Sequence, residues 1–216
     1  MTMDIVIKNG IIVDGTGNPW FRADVGIKDG KIAELNRVGI SGGEKVINAK
    51  GMVVAPGFFN FHSHSDQFTA GGSKCENSLR QGLTTEVTGS DGNANYAITE
   101  AYREHVKNEL HMIIGYAGEI DWTTLEEWRQ RIEKRGIGEN FAPFCGFNTI
   151  RRCVMGAKGK DSGRHEPTIE ELEEMKTMVA QAMEEGAFGV ASAIQYAPQV
   201  YTDEIVEICK VVAQYG

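Results

Sequence analysis

The stretch Pro56–Asp66, PGFFNFHSHSD, divides the sequence into two regions of different period. FFNFH (58–62) reads as a short apolar strand, and the chain then leaves it through two histidines separated by one residue. On an extended chain His62 and His64 project from the same face, because side chains alternate with a period of two. Two imidazoles converging at the end of a strand make half of a first-row metal site. Asp66, two residues further on, is placed to join that shell or to orient one of its ligands.

Upstream of this stretch the pattern is short strand, turn, short strand. DIVIK (4–8) and IIVD (11–14) flank Asn9-Gly10, DVGIK (24–28) and KIAEL (31–35) flank Asp29-Gly30, and KVIN (45–48) and MVVA (52–55) flank Lys50-Gly51. Such dipeptides supply the positive φ that two-residue hairpins need, so residues 1–55 are expected to form a small antiparallel β module.

Downstream, apolar runs alternate with helical stretches, the signature of βα units and a parallel sheet. LTTEV (83–87), HMIIGYA (111–117), FAPFCGF (141–147) and AFGVASAI (187–194) are the expected strands. Thr168 with Glu171 forms a capping box ahead of a helix with Ile169, Leu172, Met175, Val179 and Met183 on one face, ended by Gly186. A last helix is expected over 202–215, and the polar, Gly-rich segment 156–166 reads as a loop.

A chain of 216 residues with 41% apolar content can bury a sizeable core. Its 30 Asp and Glu outnumber 22 Lys and Arg, for a formal charge of −8, which argues against nucleic acid as a partner. No apolar run approaches the length of a membrane helix, and the start lacks a secretory apolar region, so no membrane association and a cytoplasmic location are expected. Cys75, Cys145, Cys153 and Cys209 make no CxxC pair, which suggests neither a disulfide framework nor a Cys-rich zinc site.

In QGLTTEVTGSDGNAN (81–95) a strand runs into a loop where Gly89 and Gly92 bracket Asp91. Glycine nearby lets an exposed carboxylate approach a cation, although an Asx-turn reading suits the same residue. His105, His111 and His165 read as surface or capping residues, and Cys145 and Cys153 as inert core thiols. Tyr196 follows a strand and reads equally as a substrate contact or a half-buried tyrosine. Arg151 and Arg152 suit either a clamp on a substrate carboxylate or a solvated pair, and Glu86 reads as a hydrogen-bonding partner within its strand.

These motifs together resemble the N-terminal part of the N-acyl-D-amino-acid deacylases, or D-aminoacylases, of the metal-dependent amidohydrolase superfamily. IIVDGTGNPWFRADVGIKDGKIAEL, APGFFNFHSHSD, QGLTTEVTGSDG, NFAPFCGFNTIRRCVMG and EPTIEELEEMKTMVAQAMEEGAFGVASAIQYAP carry the likeness along essentially the whole chain. The resemblance implies an α/β fold: an incomplete TIM-type (β/α) barrel half over 56–216, preceded by part of a small β-sandwich over 1–55. It implies zinc, one or two ions when the site is complete, and hydrolysis of the amide bond of N-acyl (D-)amino acids or related small amides. His62 and His64 match the family's HxH ligands.

Where the family reads GNCG, with the cysteine on zinc, this chain reads GSDG and places Asp91 there. Asn60 stands for a usual Asp, Phe147 for a usual His, and Ala193 for a usual Gly, while Tyr196 and Pro198 keep the substrate-side pattern. The family's later metal-binding histidines and its general base, an aspartate, have no match in this sequence. The expectation is therefore a portion inactive alone, completed by a second polypeptide or a C-terminal segment. The alternative is a non-catalytic remnant or interaction subunit that completes a barrel with a partner chain.

Overall fold

The computed structural model describes residues 2–156, 166–197 and 200–216. Residues 157–165 of the expected loop, His165 among them, and Pro198 lie outside the described residues. The chain divides into two compact units, Met1–Gly57 and Phe58–Gly216.

In the first unit five strands form one mixed sheet. β1 (Met3–Ile12) pairs antiparallel with β2 (Phe21–Lys28), which pairs antiparallel with β3 (Lys31–Asn36) across the two-residue Asp29-Gly30 turn. β4 (Gly43–Asn48) and β5 (Val53–Val54) do not form a hairpin with each other. Both run parallel to β1, one after the other along its free edge.

Asn9-Gly10 also departs from the hairpin reading, because β1 passes straight through it. Asn9 has φ 64° and the register with β2 shifts between Ile7 and Gly10, which is a β-bulge. Positive φ serves a bulge as well as a turn, and the dipeptide alone does not separate the two. What selects the bulge is Asp24 on β2, buried, whose Oδ1 accepts the Asn9 N–H at 2.8 Å and whose Oδ2 accepts the Ile40 N–H at 3.0 Å. A Cβ at Gly10 would stand 2.6 Å from Val54 Cγ2, so the close seating of β5 on β1 requires glycine there.

The second unit is built of parallel strands joined by helices. β6 (Phe58–Asn60), β7 (Leu83–Thr88) and β8 (Asn140–Pro143) pair in that order, and β9 (Cys145–Gly146) pairs with β10 (Val190–Ala191). Phe144, between β8 and β9, donates its N–H to Thr88 O at 2.9 Å, while Phe188 N–H reaches Pro143 O at 2.8 Å. The two small sheets thus continue one sequential order, β6-β7-β8/β9-β10, and no closed barrel is present among the described residues.

The crossovers are α1 (Ser65–Ala70) and α2 (Glu76–Leu79), α3 (Arg103–Ile114) and α4 (Leu125–Arg135), then α5 (Phe147–Met155) and α6 (Ile169–Glu184), with α7 (Thr202–Val212) following β10. Of the strand expected at 111–117, residues 111–114 are instead the last turn of α3, because Val106 and Leu110 set a helical stripe that runs on until Gly115. The strand expected over 187–194 is limited to β10. α4 has no counterpart in the sequence reading. Its capping box, Thr124 with Glu127, repeats the device at Thr168, and Leu125, Trp128 and Ile132 bury its inner face. No described helix is long and apolar enough to cross a membrane.

Trp128 is 1% exposed and lies 4.7 Å from the Tyr96 ring and 6.0 Å from Phe141. Trp128→Ala is expected to lower the unfolding free energy by about 3–5 kcal/mol in urea denaturation. A loss below about 1 kcal/mol would contradict this packing.

Burial raises the Asp24 carboxyl, but the N–H groups of Ile40 and Asn9 outweigh it and hold it below the ordinary value of 3.8. Its contribution to stability is therefore present above 3.8 and lost as pH falls through the lower, folded value. Asp24→Ala should cost about 1–3 kcal/mol at pH 7 and flatten the acid limb of stability below pH 4. An unchanged acid limb would count against the two hydrogen bonds.

Candidate metal centre

Parallel pairing of β6 with β7, with Asn60 opposite Glu86, makes both strands end on the same side of the sheet. The segment 61–64 leaves β6 there, and the Gly89–Gly92 turn leaves β7 beside it. His62 Nε2 and His64 Nε2 each lie 3.3 Å from Asp91 Oδ2. The two imidazole rings stand edge to face, 5.5 Å apart with planes at 78°. One donor atom from each of the three side chains falls within 4.8 Å of the others.

Each placement has a local cause. Asn60 Oδ1 accepts the His62 N–H at 3.3 Å, turning the chain as the strand ends. Ser63 N–H reaches Val87 O at 3.1 Å, which ties the residue between the histidines to β7. Asp91 itself has φ 56°, a conformation Asp tolerates better than most residues. Its carbonyl accepts from Asn93 Nδ2 at 3.1 Å and Asn148 Nδ2 at 3.2 Å.

The flanking glycines serve the turn itself. A Cβ at Gly89 would fall 2.1 Å from Phe144 O, and one at Gly92 would fall 2.7 Å from the Asn148 side chain. Their smallness lets Phe144, between β8 and β9, and Asn148 of α5 close on the turn.

The donor set suits a divalent ion. Two imidazole nitrogens and one carboxylate oxygen are ordinary zinc ligands, and with bonds of about 2.0–2.1 Å a tetrahedral site spaces its donors by about 3.3 Å. The two 3.3 Å separations match that spacing. The side chains remain accessible, with 63% of His62, 38% of His64 and 25% of Asp91 exposed.

The other sequence candidates lie elsewhere. Asp66 is not in the cluster. It is 1% exposed at the start of α1, and burial pushes its carboxyl up to about 7. Arg151 forms neither a solvated pair nor an open clamp: its Nε donates to Glu204 Oε1 at 2.8 Å in a buried ion pair with α7. With the guanidinium engaged inside the protein, the substrate-binding reading of Arg151 loses its support. The partner is 53 residues away in sequence, so no local signal announces it.

Tyr196 is 55% exposed on a short 3-10 turn, Ile194–Tyr196. Asn148 Nδ2, 2% exposed as a residue, also donates to Ala193 O at 3.1 Å and so ties the chain leading to Tyr196 to the Asp91 turn. His105 and His111 are exposed on α3. Burial pushes the Cys145 thiol up to about 12 and Cys153 to about 11, which keeps both protonated.

The urease alpha-subunit N-terminal domain family matches residues 1–58. N-acyl-D-aspartate deacylase of Alcaligenes xylosoxydans xylosoxydans is 29% identical over 96% of this chain and 40% of its own length. D-aminoacylase of the same organism is 26% identical over 99% of this chain and 43% of its own. The crystal structure of N-acyl-D-glutamate deacylase from Bordetella bronchiseptica, complexed with zinc and a phosphonate inhibitor, superposes with a TM-score of 0.84 at 25% identity, covering 99% of this chain and 44% of that one. A crystal structure of D-aminoacylase gives a TM-score of 0.82 at 26% identity over the same shares. The chain thus spans less than half the length of these relatives. In sequence and in fold it is similar, over nearly all of its residues, to the N-terminal part of the N-acyl-D-amino-acid deacylases, the D-aminoacylase group of the amidohydrolases.

Proposed function

We propose that this chain supplies the N-terminal part of a metal-dependent amidohydrolase that cleaves the amide bond of N-acyl (D-)amino acids or related small amides. His62, His64 and Asp91 would hold a divalent ion, zinc first among them. The observation that carries the reading is the convergence of both imidazole Nε2 atoms on one oxygen of Asp91. A bound ion of this kind polarises a carbonyl and brings the pKa of water near neutrality. His62, His64 and Asp91 would hold the ion, and their exposed side chains would leave it accessible to an incoming amide. Tyr196, exposed beyond Ala193, is the candidate for contact with that substrate.

The general base and the remaining ligands are assigned to a complementary segment, on this or a second polypeptide, forming the rest of a TIM-type barrel. Three features support this. The relatives are more than twice as long as the part matched here. β6 and β10 each stand at an end of the parallel order, with Phe58, Phe59, Phe61 and Phe188 more than half exposed around them. In the first unit, Ile32, Leu35 and Ile47 pair with Ile27, Val25 and Ile7, so one apolar face of that sheet is left partly uncovered, as half of a sandwich would be.

Isothermal titration of the metal-free chain should show one Zn²⁺ per molecule, and Asp91→Ala or His64→Ala should weaken it at least about tenfold. Absence of binding by the unaltered chain would overturn the reading. Gly89→Ala should weaken zinc comparably, because Phe144 O and a Cβ cannot occupy the same space and the Asp91 turn must shift.

Release of free amino acid from N-acetyl-D-amino acids should be undetectable with the 216 residues alone. It should appear when the chain is combined with a complementary segment that supplies the remaining ligands and the general base. Hydrolysis by the chain alone would contradict the division of labour.

A further inference from the structure

We propose that Glu86 is a positioning residue for the metal-binding histidine pair: a buried carboxylate that grips the two serines alternating with His62 and His64 and so fixes how the imidazoles are presented. This inference rests on the metal reading above and adds a residue that touches none of the three donors.

In His62-Ser63-His64-Ser65 the histidines turn toward Asp91, and the serines are held by β7. Ser63 Oγ and Ser65 Oγ both donate to the same oxygen of Glu86, Oε2. Each hydroxyl has one proton, and each gives it to the carboxylate. Ser63 Oγ then accepts the Ser65 N–H at 3.1 Å, closing the turn on itself. Ser78, at α2, is a third hydroxyl partner of Glu86.

Glu86 is 2% exposed, so the grip is made out of water, where charge-assisted hydrogen bonds are strong and their loss is felt. Burial raises its carboxyl, but the hydroxyls of Ser63, Ser65 and Ser78 outweigh burial and hold it below the usual 4.5. It is therefore an acceptor only, matched to donors.

The position of the grip gives it leverage. Glu86 lies on the strand whose exit turn carries Asp91, so one short segment holds the carboxylate donor by its backbone and the histidine donors through the serines. Ser63 N–H also contacts Ser90 Oγ at 3.3 Å, adjacent to Asp91. The spacing between the two sides of the cluster is then set within residues 86–91, independently of the long crossover between β6 and β7. Outer-shell groups that orient ligands are worth about 10–100-fold in metal affinity.

The test compares the unaltered chain with Glu86→Ala, Glu86→Gln and the Ser63→Ala/Ser65→Ala double variant. Zn²⁺ affinity is read by competition with a chromophoric chelator, the Co²⁺ d–d absorption reports ligand geometry, and thermal unfolding is followed in the absence of metal. Glu86→Ala and the double serine variant should each weaken Zn²⁺ by about 10–100-fold and change the Co²⁺ spectrum. Glu86→Gln, whose carbonyl oxygen can still accept from both serines, should recover part of the affinity and the spectrum.

If Glu86→Ala fails to fold, the serine variant, which leaves the buried carboxylate in place, decides the matter. Variants that unfold at lower temperature yet bind Zn²⁺ with unchanged affinity and spectrum would reduce Glu86 to a fold-stabilising residue and overturn the proposal. An unaltered chain that binds neither ion would instead remove the metal reading, and the clamp with it.

Discussion

Parallel pairing between β6 and β7 is the constraint on which the candidate centre depends. Had the two strands paired antiparallel, the histidine segment and the Asp91 turn would have left opposite ends of the sheet, and no local chemistry could have joined them. With Asn60 opposite Glu86 they leave together, and both histidines meet one oxygen of Asp91 at 3.3 Å. Parallel pairing in turn requires the crossover through α1 and α2, which explains why a short strand, a histidine pair and a helical stretch follow one another so closely in sequence. The glycines beside Asp91 complete the arrangement by letting Phe144 and Asn148 approach the turn.

Some of this was legible in the residues alone, for physical reasons that differ from place to place. The HxH spacing drew attention to the pair, although the strand ends at Asn60 and the two histidines follow it in the exit turn rather than on extended chain. Asp91 stood out through its glycine neighbours, although what they accommodate is Phe144 and Asn148. The capping box at Thr168 located α6 because both of its bonds are local. The same device at Thr124 is masked in the sequence: in α4 only Leu125, Trp128 and Ile132 supply the apolar stripe, among charged residues that dilute it.

Other features depend on partners far along the chain. Asn9-Gly10 signals positive φ, and only Asp24, 15 residues on, turns that signal into a bulge rather than a hairpin. β4 and β5 are parallel to β1 because the sheet edge they join is already there, a fact that no turn dipeptide carries. Arg151 finds Glu204 across α5 and α7, and Glu86 finds Ser63 and Ser65 across the β6–β7 crossover. Charged residues inside a fold are informative only once their partners are known, and those partners are set by topology.

The most direct test of the account is the X-ray absorption spectrum at the zinc edge of the chain loaded with one equivalent of Zn²⁺. A His62–His64–Asp91 centre requires a first shell of nitrogen and oxygen alone at about 2.0–2.1 Å, with the outer-shell scattering of two imidazoles. A sulfur scatterer at about 2.3 Å, or a shell without imidazole, would place the ion elsewhere and contradict the His62–His64–Asp91 centre.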